Sequence, residues 1–595
     1  MIWTRRGFVK SLSTAALVLS FEDVLKLSLH AQSAQATPQI GARPAYDAQP
    51  RAAKRLPSPV VGTPLGYNFI DVATQSGLNK KTIYGDEHRN RFLLETTGCG
   101  VAFYDFDHDD WLDIFMVNGT RLDGFPKGDE PISRLFKNNR DGTFTDITAK
   151  TGMTRSGWGQ GCCVGDYDND GLDDLFVSYY GQPILYRNHG DGTFTDVTAK
   201  AGLSAPGWST SAVWFDYDND GRLDLFVCQF VKIENGLICT VDEDGQHHYC
   251  IPRIFKPMPS WLFHNNGDGT FTDVSRASGI ADHLGKAWGV VATDVNNDGR
   301  LDLFVANDTV ANFLFMNRGN GHFDETGFEA NIAYSQDGRA RSGMGVDSAD
   351  VDQDGWMDLF VANLDTEIFS LYRNNHDGTF DDVSIPVGIG MDTRWMSGWG
   401  LKFFDYDNDG NLDLMLVNGF PDDLVDKESH YVTYAEPLML FHNDGKNFKN
   451  VSLQSGPVFS KTFAARGLAV GDFNNDGAQD VLINVNDAAP ILLKNNAAKG
   501  NHWLGIQLVG RKANIDAIGA RVTYQAADLQ RSRMKVGAGS FLSSQDPRMV
   551  LGTGKHAKID WVEVKWPQPS GLVERFTNLP IDRYVTLVEG TGKWK

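Results

Sequence analysis

Beyond its N-terminus the sequence has no apolar run reaching the roughly 18 residues that a membrane-spanning helix needs. Positive charge is in deficit: 55 Lys and Arg face 76 Asp and Glu, and the formal net charge of −21 argues against nucleic acid as a partner. No nucleophile elbow, phosphate loop, dinucleotide fingerprint or Ser-His-Asp order stands out. Cysteine is scarce, six in 595 residues, too few for a disulfide scaffold. Glycine (62) and phenylalanine (36) are abundant instead, and the length calls for two or more domains.

The first 36 residues read as an address. "TRRGFVK" (Thr4 to Lys10) has the form of a twin-arginine export motif, the apolar "LSTAALVLSF" follows, and Ala34 and Ala36 place small residues at −3 and −1 of a cleavage site. Residues 1–36 are therefore expected to be a signal peptide, cleaved or kept as an anchor, that sends the protein to the periplasm or the cell exterior. Residues 37–65, with six prolines and no apolar periodicity, read as a disordered linker.

From there the chain repeats itself. "GDYDNDGLDDLFV" (165 to 177) puts acidic residues at positions 1, 3, 5 and 9 of a loop and then turns apolar, and the frame recurs seven times. It falls on Asp105, Asp107, Asp109, Asp113; Asp166, Asp168, Asp170, Asp174; Asp216, Asp218, Asp220, Asp224; and Asp294, Asn296, Asp298, Asp302. It continues on Asp350, Asp352, Asp354, Asp358; Asp405, Asp407, Asp409, Asp413; and Asp472, Asn474, Asp476, Asp480. Each copy is followed by a hairpin of the type "LFHNNGDGTFTDVS" (262 to 275), but the seventh, "ILLKNN" (491 to 496), lacks its second strand. "FIDVA" (69 to 73) has the missing strand's form, so the N-terminus is expected to complete the last unit. Four strands per repeat predict an all-β fold, a seven-bladed β-propeller over 66–497.

Alternate carboxylates in a tight loop converge on one point, and the glycine at position 6 allows the turn. An all-oxygen cage without His or Cys in the frame points to Ca²⁺, up to seven ions with a mainly structural role. Position 12 is apolar in every copy, so these are not EF-hands. Asp110 in place of glycine, and Asn296 and Asn474 in place of aspartate, predict weaker binding in the first, fourth and seventh loops.

These repeats resemble the FG-GAP/VCBS propeller repeats also found in integrin α-subunit heads. With the tail segments "IGARVTYQ" (518 to 525), "GAGSFLSSQDPRMVLGTG" (537 to 554) and "VEVKWPQPSG" (562 to 571), the chain more closely resembles bacterial ASPIC/UnbV proteins related to cartilage acidic protein. The resemblance implies an ASPIC/UnbV domain over 498–595. The residues themselves read as short alternating strands of a small C-terminal β-sandwich, with polar "GAGSFLSSQD" its most exposed loop.

Six residues before each loop's first aspartate stand Cys99, Gln160, Thr210, Trp288, Met344, Trp399 and Arg466, early on the innermost strand. They either plug the channel or read a ligand at its mouth, with Gln160, Trp288, Trp399 and Arg466 the ligand-reading candidates. In the insertion 229–260, Cys239 and Cys250 are expected to form a disulfide; the alternative, a metal site on His247 and His248, suits adjacent side chains poorly. The other four cysteines read as small core residues. The expected function is an exported calcium-binding module for a protein or glycan; the alternative is a lyase, hydrolase or isomerase working in the propeller funnel.

Overall fold

The computed structural model describes residues 69–595 apart from 87–89, 234–239, 242–246, 430 and 497–499. The signal peptide and linker expected before residue 66, and Cys239, lie outside the described residues.

Seven four-stranded antiparallel units follow one another, the second and third joined edge to edge where Gly207 and Trp208 pair with Gly181 and Tyr180; in the first six, each strand is hydrogen-bonded to the next in chain order. In the first, Val101–Tyr104 pairs with Asp113–Met116, then Arg134–Asn138, then Phe144–Asp146. The acidic loop always joins the first strand to the second, and the Asp-Gly turn joins the third to the fourth. In the seventh sheet the outer strand is Phe69–Asp71, with Phe69 opposite Asn495 and Asp71 opposite Leu493. The chain's own beginning thus closes the ring, as the incomplete seventh repeat requires, and covers an edge that would otherwise be open.

The first strand of every sheet faces the axis and touches its neighbours through backbone. Gly100 N–H donates to the Gln160 carbonyl (2.8 Å), and Gly467 N–H donates to the Cys99 carbonyl (3.2 Å), joining the last sheet to the first. A Cβ on Gly345 would stand 2.0 Å from the Trp399 carbonyl oxygen. Glycine is required there because two backbones approach within reach of each other.

Apolar clusters fill the interfaces between sheets, for example Phe103, Ile114, Phe136, Ala469 and Leu482 between the seventh sheet and the first, and one cluster runs through the second, third and fourth sheets. The tail forms a three-stranded and a four-stranded sheet. They enclose a shared core that includes Leu504, Ile506, Val522, Tyr524, Val562 and Trp566. One pairing there is parallel, His502–Val509 with Tyr584–Val588.

The segment expected to be the tail's most exposed loop is buried. Residues 537–544 run into the ring's axis and touch the first strand of all seven sheets. Gly537–Ala538 adds a short strand to Ala287–Thr293. Ser540 exchanges backbone hydrogen bonds with Val346, and its hydroxyl accepts from Leu401 N–H and donates to the Leu468 carbonyl. Leu542 accepts from Cys162 N–H and donates to the Ser211 hydroxyl, and Ser544 N–H donates to the Val101 carbonyl. Phe541 and Leu542 are fully buried. Polar composition misleads here: glycine and serine are what a crowded axis has room for, and the serines satisfy the inner strands' edge groups.

Candidate functional site

The seven acidic loops share one construction. Position 1 spends both carboxylate oxygens on the loop itself, accepting the N–H groups of positions 5 and 6 at 2.7–3.1 Å in all seven copies. Position 4 (His108, Asn169, Asn219, Asn297, Gln353, Asn408, Asn475) takes a left-handed φ of 55–62°. Asp110 reaches φ 67° without glycine, so the first loop closes like the others. Position 9 is buried and accepts, at 2.7–2.9 Å, the backbone N–H of the asparagine that ends the third strand.

That asparagine is a structural residue which the sequence reading passed over. In every sheet its side-chain amide donates twice, once to position 8 of its own acidic loop and once to position 2 of the preceding loop. Asn265 bonds Leu223 and Tyr167; Asn138 bonds Leu112 and, across the ring closure, Phe473. The remaining five (Asn188, Asn317, Asn374, Asn443, Asn495) do the same, all within 2.7–3.3 Å. Its recurrence in "LFxN" was the available signal.

Carboxylates converge as the frame requires. Oxygens of Asp105, Asp107 and Asp113, of Asp166, Asp168 and Asp170, and of Asp216, Asp218 and Asp224 lie within 4.8 Å of one another. Buried oxygens without a hydrogen-bond partner remain on Asp107, Asp168, Asp218 and Asp352 at position 3 and on Asp174 and Asp480 at position 9. Burial, with neighbouring carboxylates adding to it, pushes Asp113 up to about 8, Asp174 to about 9, and Asp216 and Asp358 to about 8. Hard, convergent, orphaned oxygens fit a calcium ion. In the fourth and seventh loops, Asn296 and Asn474 donate at 3.0 Å to Asp298 and Asp476. Those two loops thus lose an acceptor as well as a charge.

Each cage also has a resident countercharge. Lys137 contacts Asp107 and Asp109, Arg187 reaches Asp168 (2.8 Å), His264 Asp218 (3.3 Å), Arg373 Asp352 (3.0 Å), His442 Asp413 (3.1 Å) and Lys494 Asp476 (3.9 Å). The fourth sheet has Met316 at that strand position and uses Arg300 on Asp298 instead. Hydrogen bonding to Asp413 raises His442 to about 9.

The tail covers this end of the ring. Asp516 accepts Asp166 N–H, Arg531 and Arg533 donate to the Gly410 carbonyl, and Arg548 and Tyr584 bond the Asp472 carbonyl and carboxylate, all between 2.8 and 3.1 Å.

At the other end of the axis, Gln160, Trp288, Trp399 and Arg466 are all buried, so none of them lines an open mouth. Gln160 bonds the Tyr84 hydroxyl and accepts from the Trp208 indole. Trp288 packs on Phe230 and Phe541, and the Trp399 indole donates to the Gly419 carbonyl. Arg466 bonds the carbonyls of Thr96, Gly419, Ala465 and Phe420 and stacks on Trp399 at 4.2 Å. These residues fill the channel.

The connections leaving that end remain exposed. Trp395 and Tyr431 stack there (centroids 5.5 Å apart, 21° between planes), with the Arg394 guanidinium 5.4 Å from the Trp395 ring. Met391 lies on the same connection as Trp395; Ile251 and Ile254 of the insertion and Leu284 also face solvent. Cys250 is disulfide-bonded, while Cys99, Cys162, Cys163 and Cys228 are free and buried. No helix among the described residues is long and apolar enough to cross a membrane.

A family model described as FG-GAP-like repeat matches residues 105–177, 166–227, 254–305, 294–361 and 350–416, and one described as ASPIC and UnbV matches 510–593. Cartilage acidic protein 1 from Homo sapiens is 28% identical over 222 residues, 36% of this chain and 30% of the relative. The Xenopus tropicalis protein is 29% identical over 227 residues, 36% and 31%. The chain thus matches about a third of the length of these curated relatives. Among solved structures, an Agrocybe aegerita lectin recognising non-reducing terminal N-acetylglucosamine has a TM-score of 0.37 at 16% identity, covering 61% of this chain and 84% of that one. YCF48 bound to a D1 peptide has a TM-score of 0.38 at 10% identity, covering 74% and 99%.

Proposed function

This chain carries FG-GAP-like repeats and an ASPIC and UnbV module, and from that premise we propose that it is an exported, calcium-loaded propeller that binds a partner on the face opposite its acidic loops. The acidic-loop face is covered by the tail and the axis is filled by residues 537–544, which leaves the opposite connections as the free surface of the ring. The observation that carries the reading is the stacked, solvent-facing pair Trp395 and Tyr431 with Arg394 beside it. Flat aromatic faces next to a cation suit the apolar face and hydroxyls of a sugar ring, so the partner is a glycan.

Calcium would be held by positions 3, 5 and 9 with the position 7 carbonyl, position 1 keeping the loop closed. The ion supplies the charge that lets buried carboxylates stay ionised side by side. The enzyme reading needs a titratable group on an open axis. Arg466, the one ionisable candidate of the four, is committed to backbone carbonyls, which supports binding over catalysis in the funnel.

The test is a glycan array probed with the calcium-saturated full chain, repeated with Trp395→Ala and Tyr431→Ala. Saturable glycan binding, weakened at least tenfold by either substitution while the melting temperature holds, is the expected result. Binding only to proteins, or binding indifferent to both substitutions, overturns the glycan assignment.

A further inference from the structure

Between the acidic-loop end of the ring and the tail lies a cavity of about 200 Å³ whose walls are charged. Two of its pairs are internally satisfied: Lys402 bonds Asp347 at 2.7 Å and Arg548 bonds Asp546 at 2.9 Å. Arg533 spends its guanidinium on the carbonyls of Gly410 and Ser532 and the amide oxygen of Gln353. Asp350 and Asp405 belong to acidic loops and accept the loop N–H groups described above.

What is left over in the lining is Asp173, Asp516 and Lys535. The Lys535 ammonium is sequestered from solvent with no hydrogen-bond partner. Asp516 accepts one backbone N–H, that of Asp166 at 3.1 Å.

An occupant must offer acceptors to the ammonium and donors to the carboxylates. An anion meets Lys535 well but faces two carboxylates; a cation meets the carboxylates but faces Lys535 and Arg533. A hydroxyl donates and accepts at once, and adjacent hydroxyls on a rigid ring do so in two directions. The volume of about 200 Å³ would hold about seven waters, enough for a six-carbon ring. We propose that this cavity binds a small neutral polyol of monosaccharide size, with Lys535 donating to it and Asp173 and Asp516 accepting from it. The site stands apart from the glycan platform, on the opposite end of the ring, and does not depend on it.

The experiment is calorimetric titration of the calcium-saturated full chain with D-glucose and myo-inositol, with inorganic phosphate and 1,4-diaminobutane as charged probes. Polyols at high concentration stabilise proteins without binding, so the expected result is saturable heat with one of the two polyols at Kd below about 1 mM, roughly −4 kcal/mol. Lys535→Met and Asp516→Asn each weaken it at least tenfold, and Asn266→Ala on an exposed hairpin turn leaves it unchanged. If Lys535→Met fails to fold, Asp173→Asn in the same lining carries the same test. Saturation by phosphate or the diamine with neither polyol binding overturns the proposal in favour of an ionic ligand. No saturable heat from any probe overturns it in favour of a cavity filled with water alone.

Discussion

Asn265 touches no cation and no solvent, yet its amide holds two acidic loops together, its own through Leu223 and its neighbour's through Tyr167. Removing it leaves two buried carbonyls unsatisfied, each costing about 1–3 kcal/mol. Asn265→Ala should therefore destabilise the protein by about 2–5 kcal/mol in denaturant unfolding, whereas exposed Asn266→Ala next to it should cost under about 0.5 kcal/mol. Asp308 is the complementary case, a buried carboxyl with one unpartnered oxygen that desolvation raises to about 6. Its folded pKa lies above its unfolded one, so the folded state keeps the proton longer and stability falls as pH rises from about 4 to about 6. With calcium saturating, the loss between pH 4 and pH 7 should be smaller in Asp308→Asn than in the unsubstituted protein; equal losses would mean that Asp308 ionises at no cost.

At the scale of elements, what the sequence disclosed was whatever it repeated. Seven acidic frames in step with six hairpins located the sheets, and the unmatched "ILLKNN" and "FIDVA" located the ring closure, because a strand without a partner exposes its backbone groups. The axial segment occurs once and is made of small polar residues, so neither periodicity nor hydropathy marks it. Its signal was displaced onto the glycines that make way for it: a Cβ on Gly100 would stand 1.6 Å from the Leu542 carbonyl oxygen, and one on Gly161 2.9 Å. Glycines on the inner strands thus make room partly for a neighbouring strand, as Gly345 does for Trp399, and partly for this additional segment. The four ring candidates were legible as a set, with plugging the channel one of the two readings open to them; what decides for the plug comes from elsewhere in the chain, Phe541 against Trp288 and Trp399 and Tyr84 and Trp208 against Gln160. Gly100→Ala should expel the segment from the axis, lower the melting temperature and open 537–548 to limited proteolysis. An unchanged proteolytic pattern would show that the segment is not held by this contact.

At the scale of the whole molecule, the proposed twin-arginine export and the proposed calcium loading would pull in opposite directions, since that route carries folded proteins out of a compartment poor in calcium. The architecture offers a resolution. Asparagine staples, the axial segment and the resident Lys, Arg and His beside the cages all act without an ion, so a calcium-free ring can be folded and travel. Calcium, on the proposed reading, would then add to a structure that already exists: each loop it occupied would contribute about 2.7 kcal/mol at a hundredfold excess over Kd. Because every asparagine links consecutive loops and the last is linked to the first, stabilising one loop stabilises its neighbours. Thermal unfolding of the mature protein should therefore show one cooperative transition in EDTA, and calcium should move it upward as a whole without splitting it. Magnesium should do much less, because it demands a smaller octahedron than these loops supply. A transition indifferent to calcium would mean that the resident cations alone balance the cages; one that splits would mean that the sheets bind and melt separately, and the staples would lose their role.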